Sequence, residues 1–272
     1  MADMNGYFIR PIARVRSDYN EKFGIPRQAG LIDELEQAVV IEPGFRNADA
    51  LRGIEGFSRI WLIWGFSENA SDMTEENVSW SPMVRPPRLG GKERKGVWAS
   101  RAPYRPNSLG MSNVLLKRIV VGDRVVFDAD ADVTKSEESA AKAPYDPDTD
   151  PDPLKGIGET NEELVLIVSG ADMMNGTPVF DIKPYIPYSD AHPEASAGFT
   201  SGAKDERLTV IFPDDLLVQI DESKRAGLIQ VLELDPRGAY EKKDGYSYGM
   251  SFGKWDIKFT VNGNRLTVTD IV

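Results

Sequence analysis

The sequence predicts a mainly β protein, with a barrel or sandwich to about residue 190 and a small α+β domain over residues 191–272. Three observations carry this. In the first part, apolar runs of strand length are separated by glycine- and proline-rich loops. No strand–glycine-rich turn–helix unit occurs, so no dinucleotide-type fingerprint is present. After about Tyr188 the pattern changes to a helical stretch, followed by alternating apolar residues around an Asn-Gly turn.

Residues 8–16 alternate as a strand does, interrupted by Pro11 as an edge or first strand would be. Residues 38–42 and 60–66 are short apolar runs rich in Ile, Val and Trp. Residues 114–121 and 124–127, joined by Gly122-Asp123, read as a hairpin, because glycine suits the first position of a tight primed turn. Residues 163–169 and 179–182 add two strands. Between residues 128 and 160, the run DPDTDPDP alternates acid with proline and almost nothing is apolar. That composition predicts a mobile loop or insertion, at about 128–162. Pro213-Asp214-Asp215 caps a helix over 216–225, with Gly227 just past its end. Residues 227–234 read as a second short helix before Pro236. Trp255, Ile257, Phe259 and Val261 alternate up to Asn262-Gly263, and Leu266 and Val268 continue beyond it, as in a hairpin turning at Asn-Gly.

With no cysteine among 272 residues, disulfides, thiolate nucleophiles and Cys-based metal sites are excluded. The single histidine, His192, lies in the polar loop SDAHPEA and cannot build a His-rich metal site. No metal is therefore expected. The apolar runs are too short to span a bilayer and the N-terminus lacks a signal-peptide core, so no membrane association and a cytoplasmic location are expected.

The net charge of −11 argues against indiscriminate polyanion binding, but the charge is segregated. Residues 85–118 carry nine basic groups and one acid, whereas residues 128–163 carry twelve acids and three lysines. Within the basic block, residues 85–110 read RPPRLGGKERKGVWASRAPYRPNSLG. Arginines interleaved with proline, glycine, Trp98 and Tyr104 suit a rigid surface that meets phosphates or flat rings.

Three segments carry more than composition requires. IARVRSDYNEKFGIPRQAGL has its backbone set by Gly24, Pro26 and Gly30. The basic block ends in RAPYRPNSLGMS. SGADMMNGTPVFDIKPYIPYSDA spaces Asp172, Asp181 and Asp190 among Pro, Tyr and Lys183. Together with ADALRGIEGFSRIWLIWGF, these segments closely resemble the TsaA/TrmO family of S-adenosylmethionine-dependent tRNA methyltransferases. The resemblance covers about residues 7–125 and 164–188, and DPRGAY at residues 235–240 resembles a motif in the family's C-terminal part.

The resemblance implies a β-barrel that binds S-adenosylmethionine without a Rossmann fold, generally as a homodimer with the cofactor near the subunit interface. The implied substrate is the anticodon loop of threonine-decoding tRNA, methylated on N6 of the threonylcarbamoyl-adenosine beside the anticodon. Cofactor contacts carry over onto Ala29, Gly30 and Leu31, onto Ser67 and Glu68, onto Arg101 and Met111, and onto Ser169, Gly170, Ala171 and Asp172. Gly and Ala loops let backbone groups approach an adenine edge. Arg101 suits a carboxylate, Asp172 suits ribose hydroxyls or a cationic centre, and Met111 offers a soft apolar wall. Asp172 is also the candidate catalytic acceptor for the amine N–H. Arg85, Arg88, Arg94 and Arg105 are candidates for RNA phosphates, with Tyr104 available to stack on a base. Where bacterial members carry His-Gln after the aromatic strand, this chain has Ser67-Glu68. That departure keeps two alternatives open: a non-catalytic S-adenosylmethionine-binding barrel, or a methyltransferase for another acceptor.

Overall fold

The computed structural model describes residues 8–67, 80–86, 93–130, 152–201, 207–238 and 242–272. The first part supplies strands β1 (Ala13–Arg16), β2 (Glu36–Ile41), β3 (Arg59–Gly65), β4 (Met83–Val84), β5 (Lys95–Gly96), β6 (Leu109–Val121), β7 (Arg124–Asp128), β8 (Leu164–Ser169) and β9 (Pro178–Pro184). Six of them run in the order β3-β9-β1-β2-β8-β6, and β6 pairs back onto β3, closing an antiparallel barrel. Closure leaves the barrel no free edge. β7 extends β6 as a hairpin through Gly122, at φ 57°. β4 and β5 form a separate two-residue ladder.

Alternation decides which residues fill the barrel. In β3, Ile60, Leu62 and Trp64 point inward, and Val114, Leu116, Leu166, Val168 and Val179 meet them in one core. Each fully buried Ile or Leu side chain is worth ~1.5–3 kcal/mol over exposure. The first strand starts at Ala13, later than the predicted residue 8, and is paired on both sides by β2 and β9 rather than lying at an edge. Phe8 and Ile9 stay exposed. Of the acidic stretch, residues 131–151 lie outside the described residues. Its return leg corrects the expectation of an excursion without apolar anchorage: Leu154 is fully buried in the barrel core, and Asp152 pairs with Arg52 at 2.7 Å.

A one-turn helix α1 (Pro187–Asp190) follows β9. Beyond it lie β10 (Thr209–Ile211), α2 (Asp214–Leu217), α3 (Glu222–Glu233), β11 (Ser247–Phe252), β12 (Trp255–Asn262) and β13 (Arg265–Ile271). Their four strands form a sheet ordered β10-β13-β12-β11, with α3 contributing Leu228, Val231 and Leu232 to its core. Two expectations are corrected here. The β12–β13 turn falls on Gly263-Asn264, since Asn262 already pairs with Arg265. The expected helix over 216–225 breaks after Leu217 and restarts at Glu222, and it joins the expected 227–234 helix across Gly227, a glycine kept for packing: a Cβ there would lie 2.3 Å from Leu35 Cγ.

That contact is one of many. Tyr19, Ile32 and Leu35, from the segment between β1 and β2, are buried in the same core as Phe252, Phe259 and Leu232. Asn20 Nδ2 donates to Gly253 O at 2.6 Å, and Gly253 N–H donates to Asp18 O at 2.8 Å. The barrel's own chain thus completes the hydrophobic core of the C-terminal sheet.

Candidate active site

Antiparallel pairing brings the start of β2, the end of β8, the start of β6 and the end of β3 to one end of the barrel: Glu36 faces Ser169, Gly65 faces Leu109, and Ser112 near the start of β6 reaches Asp172 just past β8. Four of the sequence-predicted segments meet there. Gly30 and Gly170 both have φ of 76°, the left-handed region that favours glycine, and Gly30 N–H donates to Gly170 O at 2.7 Å. A Cβ on Gly170 would lie 2.8 Å from Asp33 Oδ1 and 3.4 Å from Gly30 Cα. The two turns therefore approach by their backbones, as close binding of a flat ligand needs.

Asp172 sits behind them. Ser112 Oγ donates to its Oδ1 at 2.5 Å, and Trp64 Nε1 donates to Ser112 Oγ at 2.9 Å. The Ala29 N–H also bonds the carboxylate. Burial pushes the Asp172 carboxyl above the usual carboxylate range, although the Ser112 and backbone hydrogen bonds and the Arg101 charge pull the other way. Its negative charge, with that of Asp18, adds to burial in raising the Tyr19 phenol, which stays protonated. Arg101 is exposed, and its Nη1 donates to Gln28 Oε1 at 2.6 Å. Gln37 Nε2 donates to Ala171 O at 3.3 Å, while Ser169 Oγ and Gln37 Oε1 are buried without a partner among the described residues.

Leu31 is half-buried, packed against the C-terminal core. Met111 lies opposite Ile63 on the barrel's outer face and is half exposed. Ser67 follows β3 at the same end, just after Phe66 N–H donates to Ser108 O at 3.0 Å. Glu68 and Arg88 lie outside the described residues.

Sequence reasoning missed Ser112, Trp64 and Arg59, and it read Gln28, paired with Arg27, as a donor where it accepts from Arg101. Ser112 and Trp64 form the relay to Asp172, Gln28 tethers Arg101, and Arg59, beside Gly30, donates to Asn113 Oδ1. Gly110 makes the relay possible, because a Cβ there would lie 2.4 Å from the Trp64 ring. None of this is visible without knowing that β3 pairs with β6.

The RNA candidates occupy a neighbouring surface. Val84 pairs with Lys95, so exposed Arg85 and Arg94 lie one step beyond the β4–β5 ladder on opposite strands. Tyr104 is exposed. Arg105 is half-buried, and its Nη1 donates to Val97 O and Ser100 O at 3.0 and 2.7 Å. Its guanidinium thus shapes the loop. His192 is a loop residue bonded to Glu194 and to Ser189 O. Within the described part of DPRGAY, residues 235–238, buried Arg237 donates to Asp235 at 2.8 and 3.1 Å and lies over the Tyr248 ring. With Gly24, Pro26 and Arg27 it lines a cleft of about 160 Å³.

The described residues thus form a closed antiparallel barrel whose end loops gather glycine turns, an arginine and a buried carboxylate, groups of the kind a small-molecule site uses. The chain belongs to the tRNA-methyltransferase O family: the family's N-terminal domain matches residues 14–136 and 155–191, and its C-terminal domain matches residues 205–272. The unmatched residues 137–154 fall within the acidic stretch. The chain is similar to the tRNA (adenine(37)-N6)-methyltransferase of Escherichia coli, 32% identical over 98% of this chain and 95% of that protein. It is also 32% identical, over 92% of its length and 89% of the relative's, to a putative S-adenosylmethionine-dependent methyltransferase of Pseudomonas aeruginosa. Among solved structures, TrmO from Pseudomonas aeruginosa superposes with a TM-score of 0.64 at 27% identity, covering 98% of this chain and 99% of that one.

Proposed function

We propose that the protein transfers a methyl group from S-adenosylmethionine to N6 of an adenosine at position 37 of tRNA, with threonylcarbamoyl-adenosine of threonine-decoding tRNA as the acceptor. The observation that carries this is the meeting of the Gly30 and Gly170 turns with Arg101 and Asp172 at one barrel end, in a chain of this family.

The residues present fit the cofactor. The space that a Gly170 Cβ would fill is already taken by Asp33 and Gly30, so only bare backbone fits between the two turns. Ala29, Gly30 and Leu31 with Ser169, Gly170 and Ala171 would hold the adenosyl part through backbone groups, and Ser67 and Glu68 would border it. Met111 would give a polarizable wall, and Arg101, held by Gln28, would take the methionine carboxylate. Bound there, S-adenosylmethionine supplies an electrophilic methyl.

The chain's own contribution is alignment and charge placement. The adenine N6 amine is a weak nucleophile, because its lone pair conjugates into the ring. Asp172, fixed by Ser112 and the Ala29 N–H, accepts the amine N–H bond and stabilises the positive charge that builds on nitrogen. Arg85, Arg88 and Arg94 hold anticodon-loop phosphates, Tyr104 stacks on a base, and Arg105, bonded to Val97 O and Ser100 O, organises the loop next to Tyr104. A homodimer is supported by half-exposed Met111 beside Ile63 on the barrel's outer face, and a tRNA substrate by itself favours a cytoplasmic location.

Isothermal titration with S-adenosylmethionine tests the pocket: Arg101→Ala is expected to weaken binding roughly tenfold, and unchanged affinity would sink the assignment. Nucleoside mass spectrometry of tRNA after reaction tests the acceptor. Methylated threonylcarbamoyl-adenosine supports it, and binding of cofactor without any methyl transfer identifies a non-catalytic barrel.

A further inference from the structure

Trp98, in the basic block, has been given no specific role so far, and neither has Trp80, which lies against it. Their rings stack with centroids 5.9 Å apart and planes 18° from parallel. Trp98 is 74% exposed and Trp80 41% exposed, so one broad indole face meets solvent. Apolar surface of that size is normally buried, and its presentation here is held rigidly. Val97, adjacent to Trp98, is buried, and its N–H donates to Pro82 O at 3.0 Å. Val97 O accepts from Ser100 Oγ at 2.9 Å and from Arg105 Nη1 at 3.0 Å. Ser81, next to Trp80, donates its N–H to Tyr104 O at 3.2 Å.

The surroundings select the occupant. Exposed Arg85 and Arg94 lie together beyond one end of the β4–β5 ladder, the indoles follow its other end, and the acid beside the arginines, Glu93, is already paired with Lys95 at 3.0 Å. Three residues beyond Trp98, Arg101 is tied to Gln28 in the active-site cluster. A second copy of this chain would bring the same basic surface against itself. A partner that is flat where the indoles are and anionic where the arginines are matches both features, and single-stranded RNA has that chemistry.

We propose that Trp98, backed by Trp80, is a stacking platform for one unpaired nucleobase of the RNA loop that presents the target adenosine. The proposal rests on the tRNA-methylating function proposed above. Trp80 fills the inner side of the stack, and the outer Trp98 face receives the base while Arg85 and Arg94, together at the far end of the ladder, meet phosphates on one side of it. Stacking is tolerant of base identity, so the platform supplies affinity and position rather than sequence choice.

Binding of an anticodon stem-loop RNA to the full-length protein, followed by fluorescence polarisation, tests this alongside S-adenosylmethionine titration and steady-state methylation of tRNA. Trp98→Ala is expected to weaken RNA binding roughly tenfold and to raise KM for tRNA, with S-adenosylmethionine affinity and the circular dichroism spectrum unchanged. Trp98→Phe, which keeps a ring, should recover most of the loss. RNA affinity within about twofold of wild type for Trp98→Ala overturns the platform while leaving the tRNA function standing. A wild-type protein that binds no RNA overturns both. If Trp98→Ala instead converts a dimer to monomers in sedimentation without changing RNA affinity, the patch is a subunit contact and the proposal fails.

Discussion

The Ser112 hydroxyl can point only one way. Trp64 Nε1–H is a donor with no acceptor capacity, so Ser112 Oγ must accept there, and its own hydrogen is directed at Asp172 Oδ1. The relay holds the carboxylate's orientation and favours its charged form, against burial that disfavours it. Because the folded carboxyl titrates above its usual range, it is protonated at acidic pH and has lost the charge that stabilises a developing cation. Activity should therefore rise with pH through that elevated value. The expected acid limb of kcat/KM against pH lies above the ordinary carboxylate range of about 4. Ser112→Ala removes a bond to the charged form and should move the limb to still higher pH. Asp172→Asn should abolish the limb and lower kcat by roughly 100-fold or more. A limb that Ser112→Ala leaves in place would show that the hydroxyl does not act on Asp172. The aspartate itself was legible in the sequence through the SGAD segment. Its partners were not, since Trp64 and Ser112 are 48 residues apart.

At the scale of elements, α3 shows two effects of a glycine in opposition. Glycine inside a helix costs ~1 kcal/mol relative to alanine, so propensity alone predicts that Gly227→Ala stabilises. Packing predicts the reverse, because a Cβ would lie 2.3 Å from Leu35 Cγ, and Leu35 is itself buried. Overpacking of this kind costs ~1–3 kcal/mol, so packing is expected to win. Urea unfolding should show a lower midpoint for Gly227→Ala and a lower one again for Gly227→Val. A raised midpoint would mean that Leu35 can move aside. The same conflict explains why sequence periodicity ended the helix at Gly227: a glycine kept for close approach looks, in one dimension, like a glycine kept for a left-handed cap. Strands were easier. Short apolar runs located β2, β3, β8 and β9 within a few residues, because β-branched and aromatic residues gather where a strand is buried. Short ladders such as β4–β5 leave too few residues for any period to show.

Across the whole molecule, the segment between β1 and β2 serves both halves. Ala29, Gly30 and Leu31 belong to the candidate site, and Ile32 and Leu35 belong to the C-terminal core. The two halves therefore share hydrophobic surface that neither can bury alone. Calorimetry is expected to show one cooperative unfolding transition for the full chain, shifted upward as a unit by S-adenosylmethionine. A ligand at a hundredfold excess over Kd stabilises the native state by ~2.7 kcal/mol. Two transitions, with only one moved by the ligand, would show that the shared core does not couple them.

The sequence by itself determined the β character, the lack of thiol chemistry, the segregation of charge, and the long words that mark the family. Each of these is written in local composition or in the order of residues along one strand or loop. Only the tertiary structure decided that β6 closes the barrel onto β3, that Trp64 reaches Asp172 through Ser112, and that residues 17–35 complete the second core. The physical reason is common to all three. Periodicity tells a side chain which way to face, but the partner it meets there is chosen by packing between segments far apart in the chain.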